Sequence, residues 1–300
     1  MIRIMHLLVL SLCLKKNKFS KFERFIEAVI KVIIKNSTML RKSMLYILLF
    51  LQGTSLIAQD LPFPLRDTWS FNTAYLMPAY KWECGIYQPF RYGLSNKFEI
   101  HANAIIFPLI PNAGIKIALG SRDGFVFASD HFISSQTIFM KVVSREGIGG
   151  LISPEFDFPL IIAISNSFLV SKPIGSESLL SGSAGFIFAF RGDKPNPQST
   201  IDLPVIYPRM THSYEGITIR SGVSYKGAFT RKLYYEEGLQ SFFVTRSKNN
   251  FFAENSGSLM WAAGRAIRIK AGYILSYGKY PFGGHWQLWP TIDIVFGSRI

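Results

Sequence analysis

The sequence is poor in charge, in cysteine and in long apolar runs. Charged residues make up 17% of the 300 residues, whereas a soluble domain carries about 25%. With two cysteines there is neither a disulfide framework nor a cysteine-based zinc site. After residue 58 the longest uncharged stretches, such as 158–171, reach about 14 residues, well short of the roughly 20 that a membrane helix needs. These shortages exclude a disulfide-stapled domain and a helical membrane anchor in this part of the chain.

Aromatic residues, by contrast, are abundant, with 26 Phe, 13 Tyr and 5 Trp. So much apolar and aromatic material argues against intrinsic disorder. The net charge of +14 is unevenly spread, because residues 1–58 hold ten of the 33 Lys and Arg and two of the 19 acidic residues. The remainder has no basic stripe with interleaved aromatics, so we expect no nucleic-acid partner.

The first part of the chain resembles targeting sequence more than folded domain. Residues 39–58 begin with basic residues, continue with about eight apolar ones and end in a more polar stretch closing on Ala58, the three-part form of a secretory signal peptide. Residues 1–38 do not fit a signal, and we interpret them either as a start placed too early or as an amphipathic extension. Residues 59–79, which contain Pro78, are predicted to form a periplasmic lead-in without regular structure.

From residue 80 onward, apolar and polar residues alternate with the two-residue period of a strand. The clearest alternation occurs at 97–106, 217–226, 265–277 and 286–296. Weaker alternation occurs at 81–92, 114–119, 125–131, 137–143, 159–170, 182–191 and 257–263. Turn signals such as 192–197 separate these segments, and helical periodicity is almost absent. The chain is therefore predicted to be all-β.

Two architectures fit an all-β chain behind a signal peptide, namely a soluble sandwich and a single antiparallel transmembrane β-barrel. The barrel is favoured because Tyr and Trp recur near strand ends, as at Trp82 and Tyr277, where aromatic girdles of membrane barrels lie. The opposite faces mix charge with glycine, as at Arg268, Lys270 and Gly272, which suits a crowded interior. At roughly 20 residues per strand and connection, the barrel over residues 80–300 has about twelve strands, with ten to fourteen allowed.

The chain resembles bacterial outer-membrane β-barrel proteins, many of them uncharacterised. The resemblance is carried by the signal ending in Ala58-Gln59, the hairpin at 87–94, the segment 97–100 and the last strand around 290–296. It implies residence in the outer membrane of a Gram-negative-type cell, with lipid and the barrel-insertion machinery as partners. One departure is that four residues follow Phe296, whereas such barrels often end on a terminal aromatic.

The alternation also assigns side chains to two faces of the barrel. The predicted lipid-facing residues are Phe98, Ile100, Ile219, Val223, Ile269, Tyr273, Ile292 and Ile294. The predicted lumen-facing residues are Glu99, His101, Asn103, Lys116, Arg220, Arg268, Lys270 and Asp293. A barrel with such a polar interior is expected to serve as a passive or semi-selective pore, or as a structural barrel, and its four lumen cations favour anionic small solutes.

The alternative hypothesis is a small outer-membrane enzyme that hydrolyses lipid acyl esters. The weak candidates for its catalytic residues are His101 as the general base and Glu99 as the group that orients this base, with a distant Ser as nucleophile. Such an enzyme needs a Ser, a His and a carboxylate within hydrogen-bond reach at the lipid boundary. We favour the pore, because a polar lumen network accounts for both residues. The segments Asp130-His131 and Thr211-His212-Ser213 are short and common by chance, and His212 and Ser213 cannot meet directly because adjacent residues of a strand point to opposite faces.

Metal and cofactor sites find no support in the sequence. There is no His-x₃-His pair, no cysteine cluster and no calcium-type loop. The glycine-rich segment 147–150 lacks the Lys-Ser/Thr and the helix of a phosphate-binding loop. We therefore expect a barrel without metal or cofactor.

Overall fold

The computed structural model describes residues 72–145, 152–193, 195–196, 199, 202, 216–245, 247–280 and 283–298. The predicted extension at 1–38 and the predicted signal peptide at 39–58 lie outside these residues, as does most of the predicted lead-in. Of the lead-in the structure describes 72–79, and the name refers to this part from here on.

The described residues form twelve strands and one short helix. The strands are β1 (Trp82–Cys84), β2 (Phe90–Gly93), β3 (Phe98–Ala102), β4 (Asn112–Arg122), β5 (Phe125–Ser134), β6 (Ile161–Ile174), β7 (Ser178–Arg191), β8 (Ile217–Ala228), β9 (Leu233–Val244), β10 (Phe251–Ala262), β11 (Ile267–Tyr280) and β12 (Gly283–Gly297). The helix, α1, is Thr137–Val143. Within the described part of the chain, no helix is long and apolar enough to cross a membrane.

Each strand pairs in antiparallel fashion with the strands before and after it in the chain, and the ring closes between β1 and β12. The closing strand β1 is short, with Glu83 opposite Gly297 on one side and Trp82 opposite Tyr92 on the other. The predicted fold, a single antiparallel barrel of about twelve strands, is confirmed. The closing ladder is short, because β12 pairs with β1 only at Phe296 and Gly297, whereas it pairs with β11 along nearly its whole length.

Alternation along each strand separates two walls of the barrel. In β8, for example, Ile217 and Ile219 are exposed, whereas Thr218 between them is fully buried. Successive side chains of a strand point to opposite faces, so the exposed set forms the outer wall and the buried set forms the inner wall. Residues that lie opposite each other on paired strands share a wall, as Ile269 of β11 and Ile294 of β12 do on the outer wall.

One predicted strand is wrong. Residues 137–143 form α1 within the connection between β5 and β6, and their apolar side chains follow helical spacing, with Phe139, Met140 and Val143 buried. These side chains complete an apolar cluster built from the connections 103–111 and 135–160. The members of this cluster are Ile110, Phe139, Met140, Val143, Ile152 and Phe158.

One strand was not predicted. The polar run Glu236-Glu237-Gly238 interrupts the apolar alternation of β9, so the sequence pattern is hidden although the strand is fully paired with β8 and β10. Only one of the two glutamates lies on the inner wall, because adjacent residues alternate.

The two ends of the barrel differ in their connections. The turns 94–97, 123–124, 175–177, 229–232 and 263–266 lie at one end. We call this the short-turn end. The connections 103–111 and 135–160 leave the opposite end. Since β1 begins beside Tyr92, near the 94–97 turn, the lead-in reaches the barrel at the short-turn end.

Candidate functional site

The inner wall carries the charged and polar side chains. All eight predicted lumen-facing residues are buried or half-buried in the structure. Those that line the central cavity are His101, Asn103, Arg220, Lys270 and Asp293. That these side chains contact a permeating solute stays a prediction.

A guanidinium between two carboxylates forms the densest part of the inner wall. Arg91 donates to Glu83 and to both carboxylate oxygens of Glu99, with all three N···O distances at 2.7 Å. Lys116 lies 4.0 Å from Glu99 and also donates to the backbone carbonyl of Thr73. The side chains of Arg91 and both glutamates are at most 2% exposed. Such charges are tolerated in a closed interior only because each is paired and hydrogen-bonded.

Sequence reasoning found Glu99 but missed its main partners. Glu83 and Arg91 lie in β1 and β2, strands of three and four residues that are too short to show a clear alternation. One signal could have been detected. Glu83, Arg91 and Glu99 all have odd residue numbers, and antiparallel pairing brings such residues to the same face when the connecting turns have suitable lengths.

His101 and Glu99 do not form a catalytic pair. The Nε2 atom of His101 lies 2.7 Å from a carboxylate oxygen of Asp130, and its ring stacks on Phe132 with centroids 5.5 Å apart. Glycine on the neighbouring strand makes room for this ring, because a Cβ at Gly114 would lie 2.2 Å from it. His101 is therefore held by Asp130 and Glu99 by Arg91, both inside the barrel and away from the lipid boundary, so the geometry required of the weak candidates is absent.

A second charged group lies on strands β8, β9 and β11. Glu236 is 3.6 Å from the Nζ of Lys226 and 3.3 Å from the Nζ of Lys270. Arg220 donates to the hydroxyl of Ser167, and Arg268 donates to the backbone carbonyls of residues 264 and 267. Lys116 and Lys270 thus have carboxylate partners, whereas Arg220 and Arg268 have neutral ones, and a preference for anions stays a prediction.

Asp293 fastens the connection between β1 and β2. Its two carboxylate oxygens accept from the backbone amides of Ile86 and Gln88, at 2.7 and 2.8 Å. Without this carboxylate the two amides would have to find other acceptors. Asp293 therefore fixes this connection beside the central cavity, which Tyr87, Gln88 and Asp293 itself line.

The lead-in lies inside the short-turn end of the barrel. The amide of Ala74 donates to the Ser171 hydroxyl at 2.9 Å, and the amide of Met77 donates to Glu99 at 2.7 Å. The residues that form a buried cluster here are Ala74, Tyr75, Val126, Ala128, Leu169 and Leu179. A segment predicted to lead into the barrel is thus packed against its inner wall, and it narrows the lumen at this end.

A cavity of about 430 Å³ remains within the barrel. Its lining combines charged, hydroxyl and amide groups with apolar side chains such as Phe132, Ile187 and Ile274. Examples from the lining are His101, Asp130, Ser165, Arg220, Gln240 and Lys270. Among the residues described, no group of three or more His, Cys, Asp and Glu is arranged to hold a metal ion.

The outer wall is apolar over most of its area. The predicted lipid-facing residues lie on it, with Ile219, Val223 and Ile292 between 48% and 68% exposed. Exposed apolar surface on this scale, wrapped around a barrel, is a signature of contact with membrane or protein rather than with water.

A polar cluster lies on the outer wall where β9, β10 and β11 pair. Oε1 of Glu237 accepts from the Asn255 amide at 2.6 Å and from the Tyr273 hydroxyl at 3.2 Å. Gly257 lies directly between Glu237 and Tyr273 in the strand register, and a Cβ there would lie within 2.6 Å of both side chains. The missing side chain is what allows the carboxylate and the phenol to meet.

No protein-family model matches the chain, and no curated protein matches it. Solved structures of bacterial outer-membrane proteins are similar to it at low identity. They include the outer membrane channel DcaP of Acinetobacter baumannii (9% identity, TM-score 0.36, 70% of this chain and 61% of that one), OmpT of Vibrio cholerae (8%, 0.35, 70% and 62%) and the CymD monoaromatic hydrocarbon channel (8%, 0.33, 71% and 50%). This chain therefore spans less than two thirds of the length of these proteins.

Proposed function

We propose that this protein is a barrel of the bacterial outer membrane that passes small solutes through its lumen. The observation that supports this is the division between the two walls. An apolar outer wall suits acyl chains, and a polar inner wall around a cavity suits water and small polar molecules. In this location the chain depends on lipid and on the cell's barrel-insertion machinery.

The lead-in is the element that limits passage in this proposal. It occupies the short-turn end of the lumen and is held there by Ser171, Glu99 and apolar packing. Lys116 also donates to the carbonyl of Thr73, and Met77 packs against Val295, so the lead-in is fixed in the lumen along its length. Because the cavity is lined by the cations Arg220 and Lys270 and also by the acids Asp130, Glu236 and Asp293, we expect weak selectivity between anions and cations.

Planar-bilayer recording tests the proposal directly. The purified protein is compared with a variant in which residues 73–77 are replaced by a Gly-Ser segment of equal length. We expect small conductance steps for the native protein, larger steps for the variant, and a reversal potential near zero in a salt gradient for both. The same replacement at the exposed turn 229–232 serves as control and leaves the step size unchanged.

Two outcomes count against the proposal. Membranes that remain non-conducting with both the native protein and the lead-in variant would contradict a pore. Fractionation that finds the protein outside the outer membrane would contradict the location.

A further inference from the structure

Three polar residues of β5 and β6 meet on the outer wall. Asp130 of β5 is buried on the inner wall, so Ser129 and His131, its two neighbours in sequence, both point outward. Asn166 of β6 lies directly opposite His131 in the strand register. Antiparallel pairing therefore places a hydroxyl, an imidazole and an amide side by side on the wall that faces lipid.

The hydrogen bonds among these residues run in one direction. Nδ1 of His131 lies 2.7 Å from Oδ1 of Asn166, and Nε2 lies 3.2 Å from Oγ of Ser129. The amide oxygen can only accept, so Nδ1 carries the proton. In a neutral ring Nε2 is then the acceptor, and the Ser129 hydroxyl must donate to it. This is the arrangement of a hydroxyl nucleophile, a general base and a group that orients the base.

We propose that Ser129, His131 and Asn166 form a hydrolytic site for the acyl esters of membrane lipids. The inference is separate from the passage of solutes and rests only on the proposed membrane location. Distances of 2.7 and 3.2 Å fall within the range in which a base can accept a proton from a nucleophile and be held in place by a third group. Ser129 and His131 are the catalytic residues, and Asn166 is a positioning residue.

The surroundings select a lipid as the substrate. Phe168 lies opposite Ser129 in the register and is 40% exposed, and its ring stacks with that of Phe127 at 5.9 Å. Ile133, next after His131 on the same face, is 47% exposed. The hydroxyl is thus flanked by apolar side chains that acyl chains can contact. An ester dissolved in water has no comparable contact with this wall.

The reaction balances with water as the only co-reactant. Ser129 Oγ attacks the ester carbonyl carbon while His131 Nε2 takes the hydroxyl proton. The carbon–oxygen bond to the glycerol oxygen breaks, and Nε2 gives its proton to that oxygen, so a lysolipid leaves and the acyl group stays on Ser129. Water then attacks the acyl ester, Nε2 takes a proton from water and returns it to Ser129, and a free fatty acid leaves.

Fatty-acid release measures the activity. The full protein is inserted into vesicles of phosphatidylethanolamine and phosphatidylglycerol, and insertion is verified by protease protection. We expect steady release of fatty acid and lysolipid, and a rate at least about 100-fold lower with Ser129→Ala or His131→Ala. Ser241→Ala is the matched control, because Ser241 is an outer-wall serine that bonds Ser221 at 2.8 Å. It is expected to retain the native rate.

Covalent labelling gives a second readout. A long-chain alkyl fluorophosphonate reacts with an activated serine and loses fluoride, leaving a phosphonyl ester on Oγ. Peptide mass spectrometry should place the label on Ser129 in the native protein. The label should be absent from His131→Ala, whose serine is intact but lacks its base.

The positioning role of Asn166 is tested by a matched pair of variants. Asn166→Ala removes the acceptor for Nδ1 and should lower the rate, whereas Asn166→Asp keeps an acceptor and should restore activity. The added carboxylate stabilises the imidazolium, so the acid limb of the pH–rate profile should move to higher pH in Asn166→Asp. A purely structural amide would not produce this shift.

The outcomes separate this proposal from the preceding one. Inserted protein that releases no more fatty acid than Ser129→Ala, or that takes the label at another residue, overturns the hydrolytic site and leaves the pore unaffected. Protein that fails to insert into vesicles from a correctly refolded sample overturns the membrane location on which both rest.

Discussion

The inner and outer walls both contain polar side chains, but they neutralise them in different ways. On the inner wall full charges meet full charges, as where Arg91 lies between Glu83 and Glu99. On the outer wall the hydrogen-bonded groups are mostly uncharged, as with Ser221 and Ser241. Polarity alone therefore does not identify the lumen.

The difference follows from the surroundings of each wall. Inside, neighbouring strands converge on a narrow space, so several charged side chains can satisfy one another with few waters. Outside, strands diverge, and in the proposed membrane location lipid would offer no hydrogen bonds, so a polar group is restricted to partners on the adjacent strand. Small sets such as His131 with Asn166 meet this requirement in the direct cross-strand register.

Removal of the inner-wall guanidinium is expected to have the largest effect. Arg91→Met leaves Glu83 and Glu99, both fully buried, without their principal cation. Breaking one side of a buried ion pair costs about 3–5 kcal/mol. We expect a loss of that order in the free energy of unfolding, measured by urea titration in lipid vesicles. Arg122→Met is the control, because the Arg122 side chain is 87% exposed and its pair with Asp123 is on the surface.

A loss with Arg91→Met no greater than that with Arg122→Met would show that the inner-wall charges do not depend on one another. The two walls would then not differ in the way their charges are balanced.

Arginine substituted at two adjacent residues of β9, one on each wall, should reveal a smaller difference in stability between the walls. Leu239 is 52% exposed on the outer wall, midway between Tyr235 and Phe243, and Gln240 beside it lines the cavity. Arginine at the centre of a lipid-facing wall costs about 2–4 kcal/mol, whereas substitution in the lumen costs little. Leu239→Arg should therefore unfold at lower urea concentration in vesicles than Gln240→Arg does. Equal midpoints would mean that the register of β9 is shifted or that lipid does not cover this wall.

The fold could be predicted from the sequence because the two-residue period is a local property. In β3 and over most of β8, β11 and β12 apolar residues recur at every second position, so face and strand follow without knowledge of the partners. The same reasoning failed at 137–143, where a short apolar run fits either period, and at β9, where Glu236 and Glu237 occupy both walls.

The sites could not be predicted in the same way, because they depend on register. His131 and Asn166 are 35 residues apart, and only the pairing of β5 with β6 brings them together. Alternation places adjacent residues such as Asp130 and His131 on opposite faces of a strand. It could not show that Asp130 would bond His101 on the inside while His131 would bond Asn166 on the outside.

The smallest expected effect concerns the carboxylate on the outer wall. Glu237→Gln removes the charge but keeps an oxygen that accepts from Asn255 and Tyr273, so both hydrogen bonds can persist. Because a carboxylate facing lipid is costly, and less so than a cation, we expect a gain of up to about 1 kcal/mol in the free energy of unfolding. Glu237→Ala removes the acceptor as well and leaves both donors facing lipid, so it should destabilise the barrel. If the same urea titration gives a gain in the free energy of unfolding for Glu237→Gln and a loss for Glu237→Ala, the hydrogen bonds of the cluster are what stabilise it on the outer wall. A loss with Glu237→Gln as large as that with Glu237→Ala would instead mean that the charge itself is needed on this wall.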